Sequence, residues 1–177
     1  MQQEDSKVLI LYSTVDGHTK SICERIAKKF KAKETVSLCS LEDCESLELK
    51  KYAQIVLGAS VRYGNHRDNV LQFVQDNRNL LEQKRSAFFS VNLTARKPNK
   101  NTPDTNPYLQ KFLKKADWEP SYKAVFAGKL DYPNYDCINR LAILLIMVIT
   151  GGPKDVSQTY ELTDWDKVDE FAEIIIS

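Results

Sequence analysis

The strongest constraint on the fold is the alternation of short apolar runs with segments of helical periodicity. Residues 7–12 form an almost continuous apolar run, which is typical of a strand buried on both faces. Further runs predict four more strands, at residues 35–38, 54–58, 85–91 and 124–128. Helical spacing of apolar residues predicts helices that end near Phe30, span residues 70–81 and close the chain at residues 164–176. The sequence therefore predicts an α/β fold, a doubly wound five-stranded parallel sheet with helices on both faces.

The length and the charge balance narrow the class of protein. At 177 residues, the chain is expected to form one domain over residues 1–177. The formal net charge is only +1, so charge gives no argument for nucleic acid, and no nucleic-acid partner is predicted. The four cysteines include no C-x-x-C pair and there are only two histidines, so no metal site is predicted.

The first residues and the longest apolar run bear on location. Residues 1–7 are polar and predict no secretory signal, so we expect free thiols and a cytoplasmic protein. The longest apolar run, residues 141–149, has nine residues, whereas about twenty are needed to span a bilayer. This run is either a buried helix or an exposed apolar surface that meets the membrane or admits the apolar tail of a lipid-soluble ligand. We favour the second, because the predicted sheet already has its covering helices.

Two long segments interrupt the alternation, at residues 93–123 and 131–152, before and after the fifth strand. Both are interpreted as insertions, and loops of this length are usually functional. Residues 94–123 carry seven basic and three acidic residues, a local charge of +4 that the whole-chain total conceals. This segment is either a solvated basic loop or a surface for anionic substrate groups and anionic lipid.

Residues 13–19, Ser-Thr-Val-Asp-Gly-His-Thr, form the sharpest local motif, between the first strand and its helix. Backbone amides at a helix N-terminus bind phosphate, and the hydroxyls of Ser13, Thr14 and Thr19 can donate to it. Gly17 allows close approach of the backbone. The motif contains neither the lysine of a P-loop nor G-x-G-x-x-G, so neutral donors favour the phosphate monoester of flavin mononucleotide (FMN). The alternative is a simple helix N-cap.

In this loop the chain resembles the flavodoxin family, in which an aromatic residue, a hydroxyl residue, a small residue and a threonine follow the first strand at this spacing. Cys23 departs from the pattern, which usually has alanine there. The resemblance implies a flavodoxin-like strand order of 2-1-3-4-5, with FMN at the carboxyl ends of strands one and three. It also implies three loops around the flavin. Their residues are Ser13, Thr14, Val15, Asp16, Gly17, His18, Thr19, Ser60, Val61, Arg62, Tyr63, Gly64, Ser90, Val91, Asn92 and Leu93.

Residues 55–66, 89–98 and 146–152 narrow the resemblance. They are similar to segments of the quinone-dependent protoporphyrinogen IX dehydrogenases, a family of long-chain flavodoxin relatives. The run at 90–98, Ser-Val-Asn-Leu-Thr-Ala-Arg-Lys-Pro, is specific because ordinary flavodoxins lack it. The resemblance implies an oxidoreductase of heme biosynthesis that converts protoporphyrinogen IX to protoporphyrin IX. It further implies menaquinone or ubiquinone as acceptor, and peripheral contact with the cytoplasmic face of the inner membrane.

The resemblance leaves the catalytic residues unknown. His18 is expected to orient the phosphate loop, and His66 to lie near the ring edge. Arg62, Arg96 and Lys97 are candidates for contact with the substrate's propionates.

Three alternatives remain open at this point. A flavodoxin-type electron carrier would present an acidic rim, against which the basic segment argues. An NAD(P)H:quinone oxidoreductase of the same fold would be reduced by NAD(P)H, although the sequence contains no separate nicotinamide fingerprint. A flavin-free interaction domain would show no affinity for FMN.

Overall fold

The computed structural model describes residues 7–31, 34–44 and 48–177. A sheet of mainly parallel strands lies at the centre of the fold. The parallel strands follow the order β2-β1-β3-β5-β6, which confirms the predicted order of five strands. The eight strands are β1 (Lys7–Ser13), β2 (Thr35–Ser40), β3 (Gln54–Arg62), β4 (Asn65–His66), β5 (Arg85–Val91), β6 (Tyr122–Phe126), β7 (Lys129–Asp131) and β8 (Thr159–Glu161).

Helices cover both faces of the sheet because the central strands are apolar on both sides. In β1, Val8 and Ile10 pack into the cluster formed with α1 and α5, whereas Leu9 and Leu11 pack into the cluster formed with α2 and α3. Each fully buried aliphatic side chain of this kind contributes about 1.5–3 kcal/mol. The five helices are α1 (His18–Phe30), α2 (Asp68–Gln83), α3 (Pro107–Ala116), α4 (Cys137–Thr150) and α5 (Trp165–Ile176).

The third strand is longer than predicted and ends in a hairpin. The sequence predicted a strand at 54–58 and a loop after it, but β3 runs to Arg62 and pairs antiparallel with β4. Tyr63 and Gly64 make the two-residue turn, with φ of 49° and 77°. Two positive φ values suit the twist of a tight hairpin, although a tyrosine in this conformation is uncommon. The hairpin places Ser60, Val61 and Arg62 on a strand rather than on a loop.

The two predicted insertions have different architectures. The first contains α3, a crossover helix whose start is capped by the Asn106 side chain and whose first residue is Pro107. The second is longer than the predicted 131–152, since β7 and β8 pair antiparallel and enclose α4 between them. Beneath α4 lies a small third cluster of buried side chains. Its members are Leu130, Tyr132, Tyr135 and Met147.

Helix α4 exposes most of its apolar side chains. Met147 is the one buried residue of α4, whereas Ile138 is 81% exposed and Ile149 is 75% exposed. Within the described residues, no helix is both long enough and apolar enough to pass through a bilayer. The prediction of no secretory signal concerns residues 1–7, and residues 1–6 lie outside the described part.

Candidate functional site

A pocket opens at the carboxyl ends of β1, β3, β5 and β6, and it brings together most of the predicted cofactor residues. Ends of parallel strands at one edge of a doubly wound sheet are the usual place for a ligand. Predicted residues that line the pocket are Thr14, Val15, Asp16, His18, Thr19, Ser60, Val61, Arg62, Val91, Asn92 and Leu93. Predicted residues outside its lining are Ser13, Gly17, Tyr63, Gly64, Ser90, Arg96 and Lys97.

The loop between β1 and α1 contains buried hydroxyls without partners. Ser13 Oγ and Thr19 Oγ1 are inaccessible to solvent and make no hydrogen bond within the described residues. Ser60 Oγ, on β3, is also buried and unpaired there. Thr19 and Ser60 line the pocket and Ser13 belongs to the same loop as Thr19. Because a buried polar group without a partner costs about 1–3 kcal/mol, these three hydroxyls indicate that a polar ligand completes them. Gly17, at φ 78°, precedes the first residue of α1, so the helix amides point toward the same place.

Arg62 connects three parts of the pocket wall. Its guanidinium donates to the Asp16 carboxylate at 3.0 Å and lies 5.8 Å from the ring centre of Tyr135. The contacts join the phosphate loop, the end of β3 and the segment before α4. Arg62 was predicted to contact the substrate, but its charge is paired with a carboxylate of the pocket.

His18 fixes the phosphate loop against the segment between β8 and α5. Thr163 Oγ1 donates its only proton to the Ala127 carbonyl at 2.7 Å, so the 2.6 Å contact with His18 Nε2 must be a donation from the ring. The neutral ring therefore carries its proton on Nε2. Burial lowers the pKa of His18, and the nearby Glu161 carboxylate opposes that shift. These contacts join the phosphate loop to the segment after β8, and the orienting role of His18 stays a prediction.

Behind the pocket lies a buried polar network centred on Ser90. His66 Nε2 lies 2.9 Å from Ser90 Oγ, and Asn92 Nδ2 donates to the same oxygen at 3.0 Å. The Asn92 amide also exchanges hydrogen bonds with the amide of Asn106, which caps α3. Burial lowers the pKa of His66 to about 4, so the ring is neutral at pH 7. Ser90 thus supports the pocket from behind.

The two ends of α4 are tied to two of the predicted flavin loops. At the C-terminal end, Arg96 donates to the Leu93 carbonyl at 2.7 Å and to Thr150 Oγ1 at 2.6 Å. At the N-terminal end, the phenol of Tyr63 donates to the Asn139 side chain. Arg96 was predicted as a substrate contact, which stays a prediction; both of its terminal nitrogens donate to protein oxygens and link α4 to the segment after β5. Lys97 is half-buried and lies outside the pocket.

The sequence did not predict that residues after β6 would form one wall of the pocket. The additional lining residues are Gly128, Lys129, Tyr135 and Ile143. The carboxyl end of β6 meets the same edge of the sheet as β5, so the predicted strand order could have assigned this loop to the site. Tyr135 and Ile143 carry no local signal, because the fold of the second insertion brings them to the pocket.

Comparison with known proteins identifies relatives over almost the whole chain. Residues 9–157 match the family model described as flavodoxin domain. The chain is 44% identical over 175 residues to a Leishmania major protein named protoporphyrinogen IX dehydrogenase [quinone], covering 97% of this chain and 75% of that protein. It is 41% identical over 167 residues to the Escherichia coli (strain K12) protein of the same name, covering 94% of this chain and 92% of that protein.

A solved structure shares the fold at low sequence identity. The oxidised flavodoxin 1 of Bacillus cereus matches 96% of this chain and 95% of its own, with a TM-score of 0.52 and 16% identity. This likeness shows the fold alone, and the two dehydrogenases supply the more specific comparison.

Proposed function

The chain belongs to the flavodoxin family, together with relatives named protoporphyrinogen IX dehydrogenase [quinone], and on that premise we propose that it is an FMN-dependent enzyme of heme biosynthesis. It oxidises protoporphyrinogen IX to protoporphyrin IX and passes the electrons to a membrane quinone, menaquinone or ubiquinone. The observation that carries the proposal is the identity of 41–44% to these dehydrogenases across at least 94% of the chain.

The unpartnered hydroxyls support FMN as the cofactor. Ser13, Thr14 and Thr19, with the first amides of α1, would hold the phosphate as neutral donors. Residues 60–64 and 90–93 would flank the flavin ring. When bound, FMN supplies the redox chemistry by accepting two electrons from one substrate and giving them to another.

The residues of the chain orient and enclose the reactants. Leu93 and Ile143 give the pocket apolar walls, and the Arg62–Asp16 pair joins the end of β3 to the phosphate loop. Neither histidine is placed as a general base, since His18 donates to Thr163 and His66 bonds to Ser90. Six protons leave protoporphyrinogen with six electrons in three rounds, and water and the quinone take them up.

We also propose that the exposed face of α4 rests on the cytoplasmic face of the inner membrane, where the quinone is dissolved. A large exposed apolar patch commonly marks an interaction site. Its side chains are those of Ile138, Leu141, Leu145, Ile146, Val148 and Ile149. The hydrogen bonds of Tyr63 and Arg96 hold this face beside the pocket, so lipid contact would bring the acceptor close to the flavin.

The activity is tested by anaerobic oxidation of protoporphyrinogen IX, followed by porphyrin fluorescence. The purified protein is given FMN and a menaquinone analogue, and omission of either one is the control. We expect a rise in fluorescence that requires both. With FMN shown to be bound, a rate equal to the enzyme-free control would overturn the proposal. Rapid bleaching of the flavin by NADPH would then identify the alternative quinone reductase.

Membrane contact is tested by sedimentation with vesicles of phosphatidylethanolamine and phosphatidylglycerol. The double variant Leu141→Glu with Leu145→Glu places two charges on the α4 face, and we expect it to remain in the supernatant. The matched control is Ile174→Glu, since Ile174 on α5 is 55% exposed and lies outside this face. Equal binding by the α4 variant and the wild type would overturn this part of the proposal.

A further inference from the structure

A second cavity, of about 320 Å³, lies beside the β3–β4 hairpin and shares no lining residue with the pocket described above. It opens between the start of α2 and the exposed face of α3. Gly64 and Asn65 of the hairpin line it, whereas Val61 and Arg62 of the same hairpin line the flavin pocket. Paired strands are about 5 Å apart, so the two cavities are separated by little more than one hairpin.

The walls of this cleft combine an aromatic floor with a basic rim. Phe112 and Tyr108 line it together with neutral His66. Its rim carries Lys111 and Lys115, one helical turn apart on α3. The remaining charged lining residues are Arg67, which pairs with Glu42, and Asp68.

Neither lysine forms an ion pair within the part of the chain that the structure describes, although the Asp68 carboxylate lines the same cleft. Among the described residues, no carboxylate lies within 4 Å of either ammonium group. The Lys111 ammonium donates one hydrogen bond to Asn65 Oδ1 at 2.7 Å. Like charges four residues apart on a helix repel each other. An anion placed between them would remove that repulsion and meet up to five free N–H donors.

We propose that this cleft binds the propionate carboxylates of the porphyrinogen, with Lys111 and Lys115 as the recognising cations. The assignment rests on the proposed function and adds a substrate subsite to it. Both propionates lie on one edge of the macrocycle, which matches two cations on one helix face. A macrocycle at the mouth of the flavin pocket reaches the cleft by extending these flexible arms across the Tyr63–Gly64 turn.

The cleft replaces the basic residues that the sequence suggested for this role. Arg62 is paired with Asp16, and Arg96 donates to Leu93 and Thr150. Lys97 lines neither cavity. Lys129 lines the flavin pocket, but it pairs with Asp131 at 3.3 Å. The two lysines of the cleft therefore differ from Arg62 and Lys129 in making no ion pair within the described part of the chain.

The test compares the acid substrate with its dimethyl ester, which has the same macrocycle without the charges. In the double variant Lys111→Gln with Lys115→Gln, we expect KM for protoporphyrinogen IX to rise about ten-fold, with kcat and the KM for quinone unchanged; a ten-fold change corresponds to about 1.4 kcal/mol. For the dimethyl ester, the variant and the wild type should have equal KM values. The matched control is Lys114→Gln, because Lys114 is on the same helix but lines a different surface.

A binding measurement tests the subsite independently of catalytic activity. Protoporphyrin IX is fluorescent, so its Kd is measured by titration with the FMN-loaded wild type and with each variant. A weaker Kd in the lysine variant, but not in Lys114→Gln, supports the subsite even if the wild type fails to oxidise the porphyrinogen. An unchanged KM and Kd in the lysine variant, with an active wild type, overturns the subsite and leaves the proposed function standing.

Discussion

Helices α4 and α5 have similar lengths and are both rich in apolar residues, yet they differ in how much of their apolar surface is buried. Four side chains of α5 are buried against the sheet, whereas Met147 is the single residue of α4 classed as buried. Apolar content alone therefore does not decide burial. Helix α5 uses its apolar face to stabilise the sheet, whereas α4 leaves most of its apolar side chains exposed.

The largest expected effect is on the α5 side of this comparison. Phe171 is 6% exposed, and its ring packs edge-on against Phe126 and Phe89. Replacement Phe171→Ala leaves a cavity in the core and should lower the free energy of unfolding by about 3–5 kcal/mol. Urea denaturation followed by circular dichroism measures this loss. A loss below 1 kcal/mol would show that α5 is not the stabilising helix.

Acid should weaken the sheet region rather than the cluster beneath α4. His66 has a folded pKa of about 4 against an ordinary value near 6.5, so the unfolded chain binds the extra proton between these limits. Stability is therefore complete above about pH 6.5 and falls toward pH 4, by on the order of 3 kcal/mol. The variant His66→Gln should flatten this slope, as measured by urea denaturation between pH 7 and 4.5. Parallel slopes for the two proteins would contradict the assignment.

Removal of the Arg96 contacts should loosen α4 and leave α5 intact. In Arg96→Met, the Leu93 and Thr150 oxygens lose a charged donor, at a cost of about 1–3 kcal/mol. Hydrogen exchange should accelerate in α4 relative to α5. Arg25→Met serves as the control, because Arg25 makes an ion pair with Asp169 of α5 that is exposed and screened by solvent. Equal acceleration in the two helices would mean that Arg96 acts globally.

The smallest expected effect on stability comes from the exposed face of α4. Leu145 is 60% exposed, so Leu145→Ala should change the free energy of unfolding by no more than about 0.5 kcal/mol. Urea denaturation measures this change as it does for Phe171→Ala, so the two changes in the free energy of unfolding can be compared directly. A loss of several kcal/mol would indicate that the face is buried in solution by a second copy of the chain.

The individual strands and helices could be predicted from local patterns, whereas the order of the strands came from the resemblance to flavodoxins. The apolar run of β1 and the helical spacing after it are visible within about 25 residues. The extension of β3 was not visible, because residues 59–62 become a strand only through pairing with β4. A tyrosine at positive φ in the connecting turn also gives no local signal.

Most pocket residues were predicted, but the partners of charged residues were not. Arg62 and Arg96 were treated as available cations, although their partners Asp16 and Thr150 lie 46 and 54 positions away in the sequence. Such pairs are set by tertiary structure, which a single sequence does not display. The exposure of α4 was favoured correctly, because the helices needed to cover the sheet had already been assigned.

The attachment of α4 at both ends has a kinetic consequence under the proposed contact with a lipid surface. With α4 resting on the bilayer as proposed, the pocket mouth would stay at a constant height above it, and the acceptor would arrive by diffusion in two dimensions. Its effective concentration is then a mole fraction in the membrane rather than an amount per volume. Dilution of a fixed amount of quinone with inert lipid should therefore slow turnover, although the bulk composition of the solution stays the same.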